Sequence, residues 1–165
     1  MSSKLWWPAY VGLGSNVGDS HAHLERAFAT LETLPDTRLV SRSPIYRSTP
    51  FGPVAQADFL NAVVGLLTLT PARELWDSLR RLELELGRSA GRVRWGPREI
   101  DLDLLVHGEG VLRTPELSVP HPGIPERDFV LYPLRDVAPT LQIPGLGRVD
   151  ELASRVGDRG MRRLE

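Results

Sequence analysis

Residues 99–106 read Glu99-Ile100-Asp101-Leu102-Asp103-Leu104-Leu105-Val106. From Glu99 onward charged and apolar residues alternate with a period of two, the pattern of a strand with one polar and one apolar face. Ile100, Leu102 and Leu104 are expected to face the core, which leaves Asp101 and Asp103 pointing the same way, about 7 Å apart along the strand. Two carboxylates side by side repel each other, so a positive partner is expected between them. Magnesium suits the place: it takes a few carboxylate oxygens, keeps several waters and completes its octahedron with phosphate oxygens. The plain structural alternative is a sheet edge made charged against aggregation. Arg88, Arg92, Arg94 and Arg98 shift the balance, because they precede the acids, the first three in a segment bounded by Gly87 and Pro97 and Arg98 directly after it. Their planar guanidinium forks suit phosphate oxygens, and an acid pair beside an arginine loop reads as metal-assisted phosphoryl chemistry.

A chain of 165 residues is expected to form one domain, 1–165, with a core that needs no staples. It contains no cysteine, which excludes disulfides and thiolate metal sites and is compatible with the cytoplasm. A formal net charge of -1 speaks against a global grip on nucleic acid or an anionic membrane, so any basic function must be local. The start of the chain lacks a sustained apolar stretch of the secretory kind, and no run approaches the roughly 20 apolar residues of a membrane span. Lys4 is the sole lysine, so arginine carries the positive charge throughout.

In chain order, Ala9-Tyr10-Val11-Gly12-Leu13 is a buried strand running into turn chemistry at Gly14-Ser15-Asn16. A helix follows from Gly18-Asp19-Ser20, with Leu24, Ala27, Phe28 and Leu31 on one face, until Pro35. Gly12, Gly14 and Gly18 miss the dinucleotide-binding spacing by one residue, and the glycines are read as a tight turn that leaves room for neighbouring loops. Residues 38–47 form an irregular or edge strand around Pro44, and residues 48–53 form a loop. The longest strand signal is 59–69, in which Asn61 is the odd polar member: either it satisfies a backbone group, or its amide reads a heteroaromatic edge. Thr70 and Pro71 open a second helix with Leu75, Leu79, Leu82 and Leu86 as its stripe and Gly87 as its stop. Glu83 is either a solvated face residue or a nucleotide contact. After the acid strand, residues 107–110 turn into a small hairpin with Val111 and Leu112, and residues 126–137 form a short helix. His121 lies in a proline-fixed loop, structural or aimed at a ligand, and the tail from Pro144 shows neither clear periodicity nor function.

The order strand, helix, strand, strand, helix, strand predicts an α+β fold with a ferredoxin-like βαββαβ core: an antiparallel sheet with helices on its face, followed by a C-terminal extension. That fold hosts many functions, so function must come from the site. Six motifs stand in order along the chain: Gly14-Ser15-Asn16, Tyr46-Arg47-Ser48-Thr49-Pro50-Phe51-Gly52-Pro53, Asp58-Phe59-Leu60-Asn61-Ala62, Arg94-Trp95-Gly96-Pro97-Arg98, Asp101-Leu102-Asp103 and Val119-Pro120-His121. In these motifs the chain resembles the 6-hydroxymethyl-7,8-dihydropterin pyrophosphokinases of folate biosynthesis over about residues 9–144, leaving 145–165 as a tail.

The resemblance implies transfer of the β,γ-pyrophosphoryl group of ATP to the pterin hydroxymethyl oxygen, with release of AMP. It implies two magnesium ions on Asp101 and Asp103, and a pterin site of Ser48, Thr49, Pro50, Phe51, Phe59, Asn61, Trp95 and Phe129. Arg88 and Arg98 match catalytic arginines that also engage ATP. Glu83, Arg94, Leu104, Ser118, His121 and Arg127 match the remaining nucleotide contacts. Glu116 and Pro122 depart from the family's commoner basic and aromatic residues, and Phe59 stands where a tyrosine is frequent. Such transfer needs positioning and charge neutralisation rather than a covalent nucleophile, and the glycine-bounded segment 88–95 suits a closing lid. ATP and the pterin are the expected partners, with no nucleic acid, membrane or obligate protein partner. Three rivals remain open at this level. A ferredoxin-like RNA-binding module would bind single strands without magnesium. A regulatory pseudoenzyme would bind pterin without turnover, and a magnesium phosphodiesterase would need no pterin acceptor.

Overall fold

The computed structural model describes residues 5–48, 57–87, 99–157 and 159–164. In chain order the elements are β1 (Trp7–Ser15), α1 (Ser20–Leu31), β2 (Thr37–Arg42), β3 (Tyr46–Ser48), β4 (Phe59–Thr68), α2 (Ala72–Glu85) and β5 (Asp101–His107). Then come β6 (Leu112–Arg113), β7 (Ser118–Val119), a 3-10 turn (Ile124–Glu126), α3 (Asp128–Val137), β8 (Gln142–Ile143), β9 (Gly147–Arg148), α4 (Val149–Val156) and β10 (Arg162–Arg163). The main sheet runs β10-β3-β4-β1-β5, with β2 also pairing β4, and its pairings are all antiparallel. The ferredoxin-like core is therefore present, its second strand split by Pro44 into β2 and β3.

The sheet is covered on both faces. Ala9, Val11 and Leu13 of β1, Leu60, Ala62, Val64 and Leu66 of β4, and Ile100, Leu102 and Leu104 pack with α1 and α2 into one core. Val63, Leu105 and Val106 pack from the other face against α3, α4 and Ile124. Burial on both sides explains why β4 reads as a continuous apolar run, whereas the polar face of β5 remains at its start. Among the described residues no helix is long and apolar enough to cross a membrane.

Local details differ from the sequence reading in four places. Asp19 caps α1, accepting the Ala22 N–H at 3.1 Å, but the helix ends at Leu31, before Pro35. Pro71, rather than Thr70, sits at the N-cap of α2, and the Thr70 carbonyl lies 2.8 Å from His107 Nε2. The turn after β5 leads to no hairpin with it, since Leu112 pairs with Val119 instead. The tail from Pro144 is folded: Val149, Leu152 and Ala153 are buried at helical spacing, and β10 adds to the main sheet.

Helix α2 secures β5 in an unusual way. β5 ends the sheet, so its outer edge has no partner strand among the described residues. The buried Glu83 carboxylate accepts the Leu102 N–H at 2.8 Å, and the Arg80 guanidinium donates to the Leu102 carbonyl. Arg80 Nη1 lies 3.1 Å from Glu83 Oε1, so the pair satisfies both outward backbone groups of one residue, the N–H and the C=O of Leu102. Removing one member of a buried, hydrogen-bonded charge pair leaves the other uncompensated. Glu83→Ala is expected to lower stability by about 3 kcal/mol in urea denaturation. Glu83→Gln, which keeps an acceptor for Leu102, should lose roughly half as much. Equal losses in the two variants would show that the backbone contact contributes nothing.

Candidate active site

Strand alternation and register build the site. The first core takes the odd-numbered residues of β1 and the even-numbered residues of β4 and of the start of β5, which leaves Tyr10, Gly12 and Gly14 of β1 on the face toward α3, with Phe59, Asn61 and Val63 of β4 and Asp101 and Asp103 of β5. The register aligns Asn61 with Gly14 and Gly14 with Asp101. Neighbouring strands lie about 4.8 Å apart, so Asn61 and Asp101 flank Gly14 across about 10 Å. The next row on that face is Val63, Gly12 and Asp103. Two glycines thus leave the middle strand bare between an amide and two acids. A Cβ on Gly14 would sit 3.1 Å from Asn61 Nδ2, tighter than ordinary contact, so the amide itself needs the glycine.

Asn61 is buried, and its amide orientation is fixed by Ser48, whose hydroxyl donates to Oδ1 at 2.6 Å. That leaves the Nδ2 donors on the Gly14 side. Half-buried Phe59 lies opposite Ser48 in the register, and half-buried Phe129 starts α3, with the Arg127 guanidinium 5.7 Å from its ring centroid. The Ser15 hydroxyl donates to the Glu99 carbonyl, tying the end of β1 to the approach to the acid strand.

Asp103 links this floor to a cavity of about 300 Å³, lined among others by Trp76, Arg80, Leu104, Ser118 and His121. Its size is at the lower end for small-molecule sites. Arg80 Nη2 is 4.0 Å from Asp103 Oδ1, and Arg80 Nε is buried with no partner among the described residues. Glu116 and Pro122 also line the cavity, and Glu116 is held by Arg73 of α2 at 3.3 Å. His121 donates its backbone N–H to the Leu105 carbonyl at 2.8 Å, and its Nδ1 accepts the Gly123 N–H at 3.0 Å. Burial pushes the His121 imidazole below its ordinary value of 6.5, with the Asp103 charge opposing the shift and the Arg127 charge adding to it. With Nδ1 an acceptor, the neutral ring carries its proton on Nε2.

The structure therefore gathers Ser48, Phe59 and Asn61 in one group, and Asp103, Leu104, Ser118 and His121 in another, with Asp101 on the floor between. Glu83 is buried beneath the acid strand and does not line this cavity. Thr49, Pro50, Phe51, Arg88, Arg92, Arg94, Trp95 and Arg98, and the expected lid with them, lie outside the described residues. Trp76 and Arg80 went unnoticed in the sequence. With Glu83 they are spaced i, i+4 and i+7, a second stripe beside the leucines of α2, and that spacing was the available signal. Among the described residues no three His, Asp or Glu side chains converge as a metal cage.

Comparison with known proteins follows the same lines. A family model for 7,8-dihydro-6-hydroxymethylpterin-pyrophosphokinase (HPPK) matches residues 10–139. The 2-amino-4-hydroxy-6-hydroxymethyldihydropteridine pyrophosphokinase of Pseudomonas aeruginosa is 44% identical over 155 residues, covering 94% of this chain and 95% of that one. Its namesake in Haemophilus influenzae is 37% identical over 156 residues, covering 94% and 97%. Among solved structures, Plasmodium falciparum HPPK-DHPS wild type with pteroate matches with a TM-score of 0.73 at 13% identity. The match covers 94% of this chain but 43% of that longer one, a likeness of fold. By the extent of both the family model and the near-full-length relatives, the chain belongs to the 7,8-dihydro-6-hydroxymethylpterin-pyrophosphokinase family.

Proposed function

We propose that this chain transfers the β,γ-pyrophosphoryl group of ATP to 6-hydroxymethyl-7,8-dihydropterin, a step of folate biosynthesis, and that the bare glycine row is where the two substrates meet. The observation that carries the site assignment is the alignment of Asn61, Gly14 and Asp101 across three strands. The amide at one end offers donors to a heteroaromatic edge, and the acid pair at the other adjoins the cavity for the nucleotide. In the reaction, the acceptor hydroxyl oxygen bonds to Pβ while the bridge from Pβ to Pα breaks. AMP leaves with the bridging oxygen, and the hydroxyl proton passes to solvent.

Each group has a role in this reading. Ser48 and Asn61 orient the pterin, which lies against Phe59 and Phe129, and Thr49, Pro50, Phe51 and Trp95 complete its enclosure. Trp76, Arg80, Leu104, Ser118 and His121 line the nucleotide side, Arg127 and Glu83 support it, and Arg94 is assigned to the nucleotide by the family resemblance alone. Arg88 and Arg98 follow the charge to the leaving oxygen. The donor set at Asp101 and Asp103 fits magnesium: two carboxylates side by side on a partly exposed face, without a third protein ligand among the described residues. Magnesium takes one or two carboxylates and completes its shell with water and phosphate oxygens. Two ions held there would neutralise phosphate charge. In the same reading, residues 1–165 act as one pyrophosphokinase domain in the cytoplasm, without nucleic acid or an obligate protein partner.

Product analysis of ATP and magnesium with and without the pterin tests this reading. AMP is expected only when the pterin is present, and both Asp101→Asn and Asp103→Asn should reduce its formation at least about 100-fold. ADP, or AMP formed without the pterin, would refute the assignment. Gly14→Ala places a methyl group on the bare row and is expected to weaken pterin binding at least about tenfold, with little change for a nucleotide analogue. Unaltered pterin titration by that variant would remove the row from the site.

His121 gives a pH test. Its folded value lies below 6.5, so above that pH neither the folded nor the unfolded state holds the proton and stability is complete. As pH falls through 6.5 toward the folded value, the unfolded state binds a proton that the folded ring refuses, and stability declines. Melting without divalent cations at about pH 7.5 and about pH 5.5 should therefore show a larger loss for the wild type than for His121→Asn. Parallel losses would mean that another group sets the slope.

A further inference from the structure

Strand β10 has no place in the chemistry described so far. It pairs with the outer edge of β3, Arg162 against Arg47 and Arg163 against Tyr46, and the Leu164 N–H donates to the Ile45 carbonyl at 2.7 Å. The Arg163 guanidinium reaches Asp136 of α3, Nη2 to Oδ1 at 3.4 Å. The other oxygen of Asp136 accepts the hydrogen bond of the buried Tyr46 hydroxyl. The Arg163 guanidinium also lies 5.9 Å from the Tyr46 ring centroid. One carboxylate thus joins the last strand, the third helix and β3.

The register carries this junction to the acceptor side. Tyr46 pairs with Asn61, and Ser48, two residues farther along β3, shares its face. An asparagine amide is nearly symmetric in shape, so its orientation depends on its hydrogen-bond partners. Here the partner of Oδ1 is Ser48, and Ser48 ends a strand of three residues that is paired by β4 on one side and by β10 on the other. A binding group functions only when its support holds it within about 0.5 Å of its working position. Burial first, then the Asp136 hydrogen bond, raises the Tyr46 phenol above its ordinary value, consistent with a hydroxyl kept protonated as a donor.

We infer that β10 is a positioning element for the acceptor site: Arg163, through Asp136 and Tyr46, holds β3 so that Ser48 fixes the Asn61 amide. The inference rests on the assignment of Asn61 to the pterin. It predicts that the last strand influences one substrate and not the other.

The test measures binding of 6-hydroxymethylpterin and of a non-hydrolysable ATP analogue to the full chain, with thermal melting alongside. Arg163→Gln, at a side chain 58% exposed, removes the charge with little risk to folding, and Tyr46→Phe removes only the hydroxyl. Both are expected to weaken pterin binding about 5- to 20-fold and leave the nucleotide within about twofold, while Arg163→Lys retains most of the affinity. Pterin affinity unchanged in Arg163→Gln and Tyr46→Phe, or equal weakening of both ligands, would overturn the inference. Failure of the wild type to bind the pterin would instead overturn the functional assignment itself.

Discussion

The contact on which this structure turns is the one between α2 and the backbone of a single residue of β5. Glu83 and Arg80 occupy the N–H and C=O of Leu102 that a further strand would otherwise have taken. Strand register matters more here than elsewhere in the sheet. A slip of one residue would drive Asp101 and Asp103 into the leucine core and turn Leu102 out to the site. The same contact places a cation beside Asp103, since Arg80 spans the distance between the buried carboxylate and the acid pair. A structural clamp and an electrostatic neighbour are therefore one side chain.

The remainder of the site follows from what each strand contributes at one level of the sheet. β4 offers an amide, β5 offers acids, and β1 offers only bare backbone between them. In the proposed site the glycines of β1 therefore count as much as the polar groups at either side. Beside Asp103, both residues that depart from the commoner family pattern, Glu116 and Pro122, line the cavity. Glu116 is engaged by Arg73, which also lies 3.6 Å from Asp77, and Pro122 forms part of the cavity rim.

Local pattern carried the sequence analysis a long way where one strand or helix decided the outcome. The alternation at residues 99–106 gave both the buried leucines and the shared face of the acids, and Asp19 and the stripe of α1 followed from capping and spacing. What depended on distant partners was hidden. Gly12 and Gly14 were read as turn material because their neighbours Asn61 and Asp101 come from strands far along the chain. Glu83 looked like a surface or ligand residue because a carboxylate in a helix gives no hint that a strand amide will cover it. The tail looked featureless since its helix shows only two turns of pattern and its last strand only two paired residues. Resemblance to a family supplied the reaction, which no residue pattern alone could have specified.

The order of strands also has a bearing on how the molecule assembles. β1 lies in the middle of the sheet and can pair only after β4 and β5 have been synthesised, while β3 waits more than a hundred residues for β10. Contacts so distant in sequence close slowly, because each must overcome the entropy of a long loop before it gains anything. A nascent chain would therefore carry α1 and α2 with their leucine faces uncovered for much of synthesis, the state most exposed to aggregation. The β3 edge of the sheet would be the last to mature, when the strand ending at Arg163 leaves the ribosome.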